Sequence, residues 1–72
     1  MMPLAFAKPG EQLMVARIGG SQDIKKHLED LGFVVGAHAT VIAAPGQGNI
    51  IVNINETRLA ITDQMASKIM VQ

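Results

Sequence analysis

The chain has 72 residues, six basic and six acidic side chains that cancel, and no cysteine. That length excludes a multidomain protein, and the missing cysteines exclude disulfides and thiolate metal sites. Neutral charge, with Phe6 and Phe33 as the only aromatics, argues against nucleic-acid binding, which needs a basic footprint and often stacking platforms. A chain this short buries only about 60 % of its unfolded surface. Little is left to wall off a reaction chamber, so binding is expected rather than catalysis. Net neutrality also favours a homo-oligomer.

Residues 1–7 are apolar but short, lack a basic lead and run into Lys8-Pro9-Gly10, so no signal peptide is expected. No apolar run approaches the roughly 18 residues a membrane span needs, and the expectation is a cytoplasmic protein. After the Pro9-Gly10 turn, residues 12–18 read as a strand. Strict alternation would place Met14, Ala16 and Ile18 on one face and Leu13, Val15 and Arg17 on the other. Gly19-Gly20 ends it. Ser21 is a good N-cap, Asp23 suits a first helical turn, and Ile24, Leu28 and Leu31 form one apolar stripe. Lys25 with Glu29 and Lys26 with Asp30 have helix-pair spacing on the wet side. Gly32 suits a left-handed C′ position, with Phe33 folding back on the last turn. The spacing therefore predicts a helix over 21–31.

From Gly36 the pattern is strand-like. Residues 37–44 stop at the turn-rich Pro45-Gly46-Gln47-Gly48-Asn49, and residues 50–54 follow. Asn55-Glu56 reads as a tight hairpin turn leading into residues 57–61. Thr62 caps one helical turn through Ala66, and residues 69–71 form a closing strand. Five short strands favour a partly closed barrel, which removes exposed edges, with the helix over one opening.

Chemistry is sparse. Gly46-Gln47-Gly48 resembles the start of a phosphate loop, but a strand follows it and no Lys-Ser or Lys-Thr ends it. Asp23 and His27 stand one helical turn apart and, with His38, are the available metal ligands. A durable site wants three or four ligands, and the sequence does not supply a third beside the pair. No hydroxyl has a histidine and a carboxylate in a recognisable arrangement. What remains is surface: Met14 and Leu13 with Arg17 and Arg58 form a mixed apolar and cationic contact set.

The order of these segments resembles the FeoA family of ferrous iron transport accessory proteins across nearly the whole chain. The resemblance is carried by Ile18-Gly19-Gly20, by Leu28-Glu29-Asp30-Leu31-Gly32-Phe33-Val34-Val35-Gly36, and by Ala44-Pro45-Gly46. It continues in Ile50-Ile51-Val52, Arg58-Leu59-Ala60-Ile61 and the close Ala66-Ser67-Lys68-Ile69-Met70-Val71. Departures are His27, where many relatives carry Arg before the helix Leu, Gln47-Gly48-Asn49 in place of an Asp-Pro loop, and Asn55 where Gly is frequent. The fold the resemblance implies is mostly β with one inserted helix. It is a small five-stranded barrel like a Src-homology-3 domain plus a C-terminal helical turn, as one domain over residues 1–72.

The role it implies is a non-catalytic accessory that binds and supports or regulates a FeoB-type membrane transporter from the cytoplasmic side. No nucleic acid, membrane insertion or required cofactor is expected. Met14, Arg17, His27 and Arg58 are the expected partner contacts. The alternative is a module that senses ferrous iron or zinc directly through Asp23, His27 or His38, similar to the C-terminal domain of diphtheria-toxin-repressor-type metalloregulators.

Overall fold

A computed structural model describes residues 1–44 and 48–72. The chain runs β1 (Met2–Pro3), a 3-10 turn (Leu4–Phe6), β2 (Gln12–Ile18), α1 (Gln22–Leu31), β3 (His38–Ala43), β4 (Asn49–Ile54), β5 (Thr57–Thr62), α2 (Asp63–Ala66) and β6 (Ile69–Val71). The strands form one antiparallel sheet in the order β1-β6-β2-β3-β4-β5. β2 lies at the bend, pairing with β3 through Gln12, Leu13 and Met14 and with β6 through Val15, Arg17 and Ile18. The two wings wrap one apolar core around Leu4, Val15, Leu28, Phe33, Val52 and Ile69, and among the described residues no polar or charged side chain is buried. The terminal strands β1 and β5 do not pair with each other. α2 packs on β5 and on the 3-10 turn between them, so the barrel is partly closed.

Helix α1 forms where capping and spacing agree. The Ile24 N–H donates to Ser21 Oγ at 3.3 Å, Asp23 lies in the first turn, and Leu28 is fully buried with Ile24 and Leu31 half-buried beside it. Lys25, Lys26, Glu29 and Asp30 all lie on the exposed side. The helix ends in a Schellman turn: Gly32 takes φ 111°, its N–H donates to Glu29 O, and the Phe33 N–H donates to Leu28 O at 2.9 Å. That turn delivers Phe33 to the core. The other expected helical turn also forms, with the Met65 N–H donating to Thr62 Oγ1 at 3.2 Å. Asn55 and Glu56 take positive φ (50° and 64°), closing the β4–β5 hairpin as a two-residue turn.

Two expectations need correction. Among the described residues the sheet has six strands, not five, because residues 2–3 pair with Val71 and Met70 of β6. The following 3-10 turn buries Leu4, so the apolar start of the chain belongs to the core. A two-residue strand carries no period of its own, and its partner lies almost the whole chain away. Strict alternation also fails in β2. Its register on β6 shifts between Val15 and Arg17, a β-bulge at Ala16, so Val15 and Ile18 point to the same core although they stand three positions apart. A similar shift between Val41 and Ala43 leaves Ile42 exposed. The sequence reading of residues 45–47 as part of a turn-rich loop lies outside the described residues.

Candidate partner-binding groove

β2 and β3 separate after Val15. The Val15 N–H donates to Ala37 O, Val15 O accepts from the Gly36 N–H, both at 2.8 Å, and beyond that point β2 pairs only with β6. The chain between the separated strands holds α1 and the Val34-Val35 segment. A groove of about 420 Å³ opens there, lined by the bulged end of β2, by Gly19 and Gly20, by Lys25 and Glu29 of α1, and by Val34 and Val35. Arg17 stands at its side because the bulge turns it outward. Val34 is 43 % and Val35 69 % exposed, an apolar pair that no element of the core covers. The groove thus combines two cations, one carboxylate and two exposed aliphatics around glycine-lined backbone. Mixed apolar and Arg-containing surface of this kind is common at protein interfaces.

A second groove, about 450 Å³, lies between Ile24 of α1 and Met65 and Lys68 around α2. Ile24 and Met65 line it together with Gln64, Lys68 and the hydroxyls of Thr62 and Ser67, both engaged in local turns: Thr62 as a cap and Ser67 donating to Gln64 O at 2.6 Å. Neither groove holds a hydroxyl, imidazole and carboxylate together.

The residues expected for contact are spread over the surface. Met14 is half-buried on β2 with His38 as its register partner on β3. Arg58 is exposed on β5, three strands from β2 in the sheet. His27 is exposed on α1 and does not line the groove. Only Arg17 of the four lies in it. Asp23 and His27 share a face of α1, but among the described residues no group of three or more His, Asp or Glu side chains is placed to hold one metal ion. Sequence reasoning missed the groove itself. Val34 and Val35 follow Gly32 without helical or strand period, and they acquire meaning only once the β2–β3 separation is seen.

The whole described chain, from β1 through β6, matches the FeoA domain over residues 2–72. This chain belongs to the FeoA family. A Methanocaldococcus jannaschii protein described as an Fe(2+) transport protein A is 35 % identical over 72 residues, which is 100 % of this chain and 87 % of that one. The crystal structure of an iron uptake regulatory protein, FeoA, superposes with a TM-score of 0.93 at 30 % identity, covering 99 % of this chain and 95 % of that one. The barrel is therefore the Src-homology-3-like fold of FeoA proteins, a family of ferrous iron transport. The same fold occurs in a manganese-dependent transcriptional repressor complexed with manganese, with a TM-score of 0.90 at 22 % identity. That match covers 97 % of this chain but 35 % of the repressor. At that identity the likeness is one of fold. No helix among the described residues is long and apolar enough to cross a membrane.

Proposed function

We propose that this FeoA chain is a non-catalytic cytoplasmic accessory of ferrous iron uptake that docks on the cytoplasmic part of a FeoB-type transporter and supports or regulates it. The observation that carries the reading is the family match across residues 2–72, together with the relative, matched over all 72 residues of this chain, that is described as an Fe(2+) transport protein. The groove beside β2 supports a contact role, since Arg17, Lys25, Val34 and Val35 offer charge and apolar surface that the fold does not use internally. Met14, His27 and Arg58 complete the contact set as separate patches.

The test is calorimetric titration of the chain with the isolated cytoplasmic part of such a transporter. Binding should weaken between about 0.05 and 0.5 M salt, as screening shortens the Debye length below roughly 10 Å. Arg17→Glu should weaken it further, with His27→Ala, Met14→Ala and Arg58→Ala reporting on the other patches. No heat at high micromolar protein would sink the proposal.

A second reading, direct sensing of ferrous iron or zinc, rests on Asp23 and His27 on one face of α1 and on His38 at the start of β3. Those positions leave the remaining ligands to water or a second chain. Micromolar binding of ferrous iron or zinc that is lost in His27→Ala or His38→Ala would favour sensing. Absence of metal heat alongside transporter binding would favour docking.

A further inference from the structure

The two ends of the sheet are built very differently. β1 is two residues long and contains Pro3, the kind of short, proline-bearing edge that resists pairing with another chain. β5 runs six residues in unbroken register with β4 and carries no proline, lysine or bulge. Of its side chains, Thr57, Arg58, Ala60 and Thr62 are exposed. Among the described residues no strand lies on its far side. The two-residue turn at Asn55-Glu56 makes Ile54 and Thr57 a hydrogen-bonded pair. By alternation Val52–Leu59 and Ile50–Ile61 are bonded as well. The N–H and C=O groups of Arg58 and Ala60 therefore point away from β4, along an open edge.

We infer that β5 pairs antiparallel with β5 of a second copy of this chain, about a two-fold axis through Ala60. This register sets Ala60 against Ala60 as a hydrogen-bonded pair and Arg58 against Thr62, the closest match of outward-pointing groups. It places Arg58 one residue from Asp63 of the other copy, at the start of that copy's α2, so the edge is complementary in charge to itself. Leu59, half-buried in one copy, meets Ile61 of the other on the inner face and extends the apolar layer across the axis. No like charges face each other, whereas a register centred on Arg58 would oppose two arginines. The net charge of zero adds no long-range repulsion between copies. The interface is isologous and small, so the dimer is weak and concentration-dependent. It is independent of the transporter reading and leaves the groove beside β2 open in both copies.

Sedimentation velocity over roughly 10 μM to 1 mM, the range that suits a small interface, should show a monomer–dimer equilibrium. Ala60→Lys places two lysines on the axis and should raise the dissociation constant about tenfold or more. Ala60→Pro should do the same, because the N–H it removes does not serve β4. Far-ultraviolet circular dichroism and the thermal midpoint serve as the check that each variant is folded.

The chain has no cysteine, so Ala60→Cys gives a single thiol. In a hydrogen-bonded antiparallel pair the Cα atoms stand about 5.5 Å apart, inside the roughly 4.4–6.8 Å that a disulfide spans. Mild oxidation should cross-link that variant far faster than Lys26→Cys on the exposed face of α1. Arg58→Glu should weaken the dimer, and adding Asp63→Arg should restore it. A monomer at every concentration overturns the inference and leaves the edge to a strand of some other protein. A dimer indifferent to both Ala60→Lys and Ala60→Pro, or equal cross-linking through Ala60→Cys and Lys26→Cys, also overturns it.

Discussion

Gly32 does two things at once in the turn that ends α1. Its φ of 111° lets the Phe33 N–H reach Leu28 O, and its missing side chain leaves room for the β4–β5 hairpin, where an added Cβ would stand 3.2 Å from Asn55 Nδ2. Gly32→Ala must bear both the left-handed backbone and that contact, and should cost about 1–2 kcal/mol. For a chain of this size that lowers the thermal midpoint by roughly 4–16 °C, at about 4–8 °C per kcal/mol. Glu56 is the opposite case. It holds φ 64° in a turn that prefers Asn-Gly, and among the described residues no side-chain hydrogen bond ties it down. Glu56→Gly should raise stability by about 0.5–1 kcal/mol, after the greater unfolded-state entropy of glycine offsets part of the gain. Urea melts of both variants, compared at constant m-value, check the two signs.

At the scale of elements, the bulge at Ala16 decides which way β2 faces. Deleting Ala16 brings Val15 and Ile18 to the two-residue spacing of a regular strand, with Val15, Arg17 and Ile18 still opposite Val71, Met70 and Ile69, so both buried side chains stay in the core and only the bulge is lost. The expected outcome is retained cooperative unfolding, read by calorimetry and by near-ultraviolet circular dichroism of the buried Phe33, with the change confined to the bulged end of β2 that lines the groove. The bulge also marks where sequence reading stops working. Capping by Ser21 and Thr62, the Gly32 turn and the Asn55-Glu56 hairpin were legible because each depends on neighbours within a few residues. The bulge depends on how Met70 of β6 sits against β2, more than fifty residues later in the chain, and no local pattern encodes it. β1 was hidden for the same reason. The groove was hidden twice over, since it exists only where β2 parts from β3 and its exposed valines follow no period.

At the scale of the whole molecule, the core is wholly apolar among the described residues and the charges lie outside it. Stability and binding can therefore be changed separately. The double variant Arg17→Glu with Lys25→Glu reverses the cationic side of the groove while touching no buried residue. It should leave the unfolding free energy within about 0.5 kcal/mol, as surface changes usually do. It should also abolish salt-sensitive binding to the transporter's cytoplasmic part. A variant that loses both stability and binding would show instead that α1 and β2 depend on those charges.

The place of β6 in the sheet has a temporal meaning as well as a spatial one. Residues 69–71 lie between β1 and β2, so the strand that joins the start of the chain to its bend is made more than fifty residues after β2. Until it arrives, Arg17 and Ile18 have no partner strand and residues 2–3 have nothing to pair with. Folding is therefore deferred until residues 69–71 are available, and its long-range pairings place it with the slower topologies, in milliseconds to seconds. A chain ending at Lys68 should stay unfolded and protease-sensitive, whereas one that keeps residues 69–72 should acquire protection in a single step.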